Sequence, residues 1–100
     1  MRLLWSQPAL SDLRALHAYI AKDNERAADA MVTRTVDRAE RQLLRMPESG
    51  RPGRIAKTRE LILSGTPYIL PYRIVGDTIQ ILRVFHSQGN ESRLTPQRPQ

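Results

Sequence analysis

The chain has 100 residues, 40% of them apolar and 26% charged, which suits one small globular domain and is far from a disordered composition. It contains no cysteine, which removes disulfides, thiolate metal sites and cysteine nucleophiles and agrees with a reducing cytoplasm. Sixteen Lys and Arg against ten Asp and Glu give a net charge of +6, with lysine only at Lys22 and Lys57, so arginine, the residue suited to planar contacts with phosphate and carboxylate, sets the partner classes: nucleic acid or an acidic protein, unless the excess serves only solubility.

In chain order, Leu3-Leu4-Trp5 reads as a short edge strand. Ser6 and Pro8 then start a helix, one as a capping side chain and the other in the first turn, where its missing N–H costs nothing. Leu10, Leu13, Leu16 or His17, and Ile20 recur at helical spacing and carry this helix to about Lys22. Asn24 can cap a second helix from about Glu25 to Arg45, with Ala28, Met31, Val32, Val36, Ala39, Leu43 and Met46 on one stripe. Small residues (Ala27, Ala28, Ala30, Ala39) allow the two helices to pack closely as a hairpin over one face of a sheet. His17 on the first stripe reads as packing.

Pro47 ends the second helix, and residues 47–57 read as a Gly/Pro-punctuated loop holding Arg51, Arg54 and Lys57. Three β-rich runs follow: Thr58–Leu63, Tyr68–Val75 and Thr78–His86, an antiparallel meander. A two-residue Gly76-Asp77 loop places Val75 opposite Thr78, Ile74 by Ile79, Tyr72 by Ile81 and Tyr68 by Phe85, the last pairs on the core face. The opposite face carries Thr78, Gln80, Arg73 and His86 with Ile69, Leu82 and Val84. Pro71 cannot donate to a ladder and belongs at a bulge or on the unpaired side of a strand, so the register beyond it is open to a slip by one residue. The predicted fold class is α+β: an N-terminal strand, a helical hairpin and a three-stranded antiparallel meander, in one domain over residues 2–86. A tail of low apolar content, residues 87–100, is expected to be flexible.

No apolar run reaches the length that spans a bilayer, and the first residues are too short for a signal h-region, so the chain reads as cytoplasmic with no membrane role. Two histidines far apart, without a His-Glu-x-x-His motif, give no metal site, and no phosphate-loop or dinucleotide fingerprint appears, so no cofactor is expected. For nucleic-acid or target contact the candidates are Arg51, Arg54, Lys57, Arg59, Arg73, Arg83 and His86. Arg73 and His86 have the residue types for catalysis, since cutting RNA needs a base near neutrality and cations over the phosphate. Arg59 and Arg83 fall on the apolar face, where an ion pair with a helix carboxylate is the competing role.

The phrases Trp5-Ser6 through Asp12-Leu13, Tyr19-Ile20-Ala21-Lys22-Asp23-Asn24, Leu44-Arg45-Met46-Pro47-Glu48-Ser49-Gly50-Arg51, Thr58-Arg59-Glu60-Leu61, Pro67-Tyr68-Ile69 to Tyr72-Arg73, and Ile81-Leu82-Arg83-Val84-Phe85-His86, in this order, resemble the RelE/ParE family of bacterial type II toxins over about residues 2–90. The resemblance implies a toxin that arrests growth and a cognate ParD- or RelB-like antitoxin that neutralises it. It also implies that the antitoxin covers the helical hairpin near Leu13, Leu16, Tyr19, Ile20, Val32 and Val36, or adds a strand at Leu3 to Trp5. RelE-like members resemble ribosome-dependent mRNA endonucleases and carry an arginine where this chain has Tyr68. The departure favours the ParE side, whose better-known members poison DNA gyrase. An mRNA endonuclease of metal-independent type, and a non-toxic member that only binds antitoxin to regulate the operon, are the rival readings.

Overall fold

A computed structural model describes residues 1–87. The elements are β1 (Arg2–Trp5), α1 (Gln7–Ala21), α2 (Glu25–Arg45), β2 (Arg51–Pro52), β3 (Arg59–Ile62), β4 (Tyr68–Val75), β5 (Thr78–Ile81) and β6 (Phe85–His86). Ser6 caps α1 by accepting from the Ala9 amide at 3.1 Å, and Asn24 caps α2 through the Ala27 amide at 3.0 Å. Both helices keep the predicted boundaries to within a residue or two.

The sheet is wider than a three-stranded meander. Its order is β1-β5-β4-β3-β2, with β6 also paired to β4, and β1 lies parallel to β5 at one edge. The short β2 adds an antiparallel strand beside β3, where the sequence suggested only loop. Its register puts Arg51 opposite Glu60, and the ion pair between them stabilises a strand too short to be read from alternation.

Helices α1 and α2 pack against one sheet face. Ala9 and Leu13 from α1, Ala39 and Leu43 from α2, Leu61, Tyr68, Leu70, Tyr72, Ile79 and Ile81 from the strands, and Leu63 and Val84 just outside them make the buried core. Ala28 and Ala39 are fully buried and let the helices approach, whereas Ala27 and Ala30 face solvent. Met46 also lies outside the core, exposed beyond the end of α2. Trp5 Nε1 donates to Glu40 Oε2 at 3.0 Å, which fastens the edge strand to α2. His17 is not packing: its Nε2 sits 2.6 Å from Asp29 Oδ1 and bridges the two helices at the surface.

The β4–β5 hairpin has the predicted register, with Val75↔Thr78, Ile74↔Ile79 and Tyr72↔Ile81, and Gly76 takes the left-handed conformation its turn requires (φ 61°). Beyond Pro71 the register slips by one residue: Tyr68 pairs with His86, not Phe85, and Ile69 with Phe85. The last predicted strand is therefore two strands separated by Leu82–Val84. Leu82 N donates to Pro71 O at 2.8 Å, but Pro71 has no N–H to return. The Leu82 carbonyl is met instead by the Ser6 hydroxyl at 2.8 Å, the same hydroxyl that caps α1. Two residues on, Asp12 Oδ2 accepts from the Val84 amide at 2.9 Å while its carboxylate takes a two-pronged contact from Arg83 Nε (2.8 Å) and Nη2 (3.0 Å). The break in the strand is thus filled by side chains from the first two turns of α1.

Replacing Ser6 by alanine removes a cap and leaves a backbone carbonyl short of a donor, an expected loss of about 1–2 kcal/mol. A urea melt should show the lower midpoint, and in a Pro71→Val background, where an amide returns opposite Leu82, the Ser6→Ala loss should shrink. Equal losses in both backgrounds would show that the hydroxyl acts only as a cap. Asp12→Ala is expected to cost about 2–3 kcal/mol, since charged hydrogen bonds go with it, and to be non-additive with Arg83→Ala.

Candidate functional site

The cations singled out in the sequence occupy different environments. Arg51 and Arg54 are organised by Glu60, a carboxylate on β3 that is only 7% exposed. Arg51 Nε and Nη2 donate to Glu60 Oε1 at 3.0 and 2.8 Å, the Arg54 amide donates to Oε2 at 3.3 Å, and Arg54 Nε stands 4.0 Å from the same oxygen. A buried carboxylate needs such partners, so this loop is folded back onto the sheet. Lys57 is exposed at the far end of the same loop, in a left-handed conformation (φ 66°).

Arg59 lies on the core face, but it does not pair with a helix carboxylate as expected. Its Nη1 donates to the carbonyls of Glu48 (3.2 Å) and Gly50 (2.9 Å). β2 accounts for the difference, because it draws residues 47–50 across the end of β3 and puts their carbonyls within reach of the guanidinium. Tyr72 holds the same segment from beneath, its hydroxyl accepting from the Gly50 amide at 2.9 Å and donating to Pro47 O at 2.7 Å. Gly50 must be glycine here, since a Cβ would stand 2.7 Å from the Tyr72 ring and hydroxyl. Burial pushes the Tyr72 phenol above its ordinary pKa of 10.0, opposed in part by the Gly50 hydrogen bond and by Arg59.

Arg83 does form the predicted pair with a helix carboxylate, Asp12, and its guanidinium also sits 4.7 Å from the Phe85 ring centroid. The Asp12 hydrogen bond holds its pKa above the ordinary arginine value, with burial opposing. Arg73 is exposed on the outer face of β4 and donates through Nε to its cross-strand neighbour Gln80 at 2.7 Å.

Arg73 and His86 do not form a joint site. His86 pairs with Tyr68, five positions from Arg73 along β4, a separation of about 17 Å at the usual strand rise. The slip beyond Pro71 also reverses faces, because a one-residue shift in a strand moves each later side chain to the other side. His86 stands edge-on to Tyr68 (ring centroids 5.7 Å apart, planes at 86°), whereas Arg73 faces outward. The slip also carries Val84 into the core, not onto the open face. Tyr68 itself is buried, and burial raises its phenol pKa, so it stays protonated and is a poor base near neutrality. Among the described residues no three His, Asp or Glu side chains group as metal ligands, and no helix is long and apolar enough to cross a membrane.

On the helical hairpin, Leu13 belongs to the core and cannot meet a partner. Leu16, Val32 and Val36 are half-buried against that core, Ile20 is half-exposed, and Tyr19 is 74% exposed with the Lys22 ammonium 5.9 Å from its ring centroid. Asp12 holds Arg83 in place and Glu60 holds Arg51 and Arg54, roles that nothing in the sequence marks, save that Asp12 is a carboxylate beside the core residue Leu13.

The raised phenols have a consequence for stability. A folded-state pKa above the unfolded one favours folding fully below pH 10 and loses that contribution as pH rises through the folded value. Unfolding free energy should therefore fall above about pH 10. Tyr72→Phe should weaken that fall in urea melts across pH 8–11, and an unchanged profile would remove Tyr72 from its cause.

Residues 3–91 match the family described as the ParE toxin of the type II toxin–antitoxin system parDE. The chain is 48% identical over 86 residues to Y4kP of Sinorhizobium fredii, covering 86% of this chain and 88% of that one. Among solved structures it is similar to a chain of the chromosomal ParDE toxin–antitoxin system from P. aeruginosa, with TM-score 0.70, 28% identity, and 88% and 97% of the two chains covered. It is also similar to a chain of the RelBE2 toxin–antitoxin complex from Mycobacterium tuberculosis, with TM-score 0.62, 30% identity, and 85% and 88% covered. The α+β arrangement of a helical hairpin on a mixed sheet is the RelE/ParE toxin fold, and the chain belongs to the ParE toxin family of type II toxin–antitoxin systems.

Proposed function

We propose that this toxin acts in the cytoplasm by poisoning DNA gyrase, and that a cognate ParD- or RelB-like antitoxin neutralises it. In this reading residues 2–86 are the toxin domain and 87–100 a tail. The observation that carries the gyrase reading is the dispersal of the groups an RNA-cutting centre needs. Arg73 and His86 lie on opposite faces, Arg59 is engaged by the carbonyls of residues 48 and 50 and Arg83 by Asp12, and Tyr68 fills the position where RelE-like sequences carry an arginine. General acid–base cleavage requires a base and a cation around one phosphate, and these side chains offer no such place. A toxin that works by binding a protein target needs no assembled base.

The antitoxin seat is the amphipathic hairpin, with Tyr19 as the exposed aromatic anchor and Leu16, Ile20, Val32 and Val36 as the half-buried floor, a surface that suits an amphipathic segment folding on contact. The second reading, an mRNA endonuclease acting on the ribosome, follows from the resemblance to RelE-like toxins, and the chain's similarity to the toxin–antitoxin complex RelBE2 keeps that branch beside the ParE one.

Added to purified gyrase, the chain should stop supercoiling of relaxed plasmid, and antitoxin should restore it. In translating extracts containing the toxin, transcripts should stay intact. Transcript cleavage that disappears in Arg73→Ala or His86→Ala, with supercoiling untouched, would replace this reading by the second. Tyr19→Ala should weaken antitoxin binding by about tenfold, as truncation of a central aromatic contact commonly does.

A further inference from the structure

We propose that the solvent face of α2 is a docking ridge for the sugar-phosphate backbone of duplex DNA. Arg34, Arg38, Arg41 and Arg45 are spaced 4, 3 and 4 residues apart, all four are exposed, and at 100° per residue they fall within an arc of about 60°. They form a straight row about 16 Å long. The ridge lies well away from the buried stripe of Ala28, Thr35, Ala39 and Leu43.

A helix surface that needs only solubility intersperses signs, and Glu–Arg pairs at such spacings support it. Here Arg34/Arg38 and Arg41/Arg45 are like-charged neighbours one turn apart, which repel. Asp37, 3.3 Å from Arg41 Nε, is the carboxylate beside the row, and Glu40 is turned away to Trp5. A row whose positive charge exceeds what Asp37 offsets is relieved by a polyanion of matching length. One of the four is held in place by the fold: Arg38 Nη1 donates to Ser64 O in the β3–β4 turn. Gly65 leaves the space, since a Cβ there would stand 2.8 Å from that nitrogen. Between Arg38, Arg41, Arg45 and Ser64 runs an open groove of about 260 Å³.

The flanking groove residues include no aromatic ring, so the ridge lacks the stacking platform that single strands use. It lacks the apolar anchors of a peptide seat as well, and those lie on the other side of the hairpin, at Leu16 and Tyr19. What it offers is guanidinium groups on a rigid rod, the chemistry of sequence-independent phosphate contact. This inference stands apart from the choice of cellular target.

The test is fluorescence anisotropy of a labelled 20-base-pair DNA duplex with the full chain, from 50 to 200 mM salt. The variant Arg34→Gln/Arg41→Gln/Arg45→Gln keeps the Arg38 clamp. Arg2→Gln/Arg14→Gln/Lys22→Gln removes the same charge elsewhere, and circular dichroism verifies that both fold. The ridge variant should lose at least about tenfold in affinity at 100 mM salt, and the slope of log K against log salt should become shallower by about 0.9 for each phosphate contact removed. The control should lose less than about threefold, the share expected of net charge alone. Equal losses in the two variants, no duplex binding by the parent at 50 mM salt, tighter binding of an RNA duplex, or a ridge variant that keeps DNA but loses purified antitoxin would each overturn the proposal. No gyrase is present in the assay, so its outcome is separate from the target question.

Discussion

A proline facing a neighbouring strand leaves one carbonyl without a donor, and the rest of this fold is arranged around that gap. Pro71 in β4 accepts from Leu82 but cannot donate back, so the final strand cannot continue in register. The first two turns of α1 supply the missing partners: the Ser6 hydroxyl for the Leu82 carbonyl, and the Asp12 carboxylate for the Val84 amide and the Arg83 guanidinium. These contacts join residues more than seventy positions apart, and they tie the helical layer to the sheet where the sheet is weakest.

The interruption also distributes the chemistry. By shifting the pairing one residue it turns His86 toward Tyr68 and away from the face of Arg73, and it binds Arg83 to the scaffold. The loop cations are drawn in similarly, Arg51 and Arg54 onto Glu60 and Arg59 onto the carbonyls of residues 48 and 50. On the sheet side, much of the positive charge that the composition advertises is therefore engaged in structure. On the outer side of α2 it is engaged only in part, Arg41 with Asp37 and Arg38 with the Ser64 carbonyl, because four successive arginines outnumber the carboxylates beside them. The net charge of +6 thus understates the asymmetry of the molecule.

Those differences also leave two chemically distinct surfaces on the helices. The hairpin presents a half-buried apolar strip ending in the exposed Tyr19, which suits a segment that folds as it binds, while the α2 arginines offer charge without apolar area. The two surfaces lie on the same pair of helices.

Both helices, their caps at Ser6 and Asn24, the edge strand and the β4–β5 register were legible in the sequence, because helical periodicity, capping chemistry and a two-residue glycine turn are local and act over a few residues. The ordered phrases of the RelE/ParE family were legible for the same reason. The two-residue β2, the arginine partners and the face on which His86 ends were decided by tertiary structure alone. Each depends on groups brought together from distant parts of the chain: Glu60 with Arg51, carbonyls 48 and 50 with Arg59, and Asp12 with Arg83 across 71 positions. A guanidinium takes whichever acceptor the packed fold brings to it, and spacing along the chain carries no record of that choice.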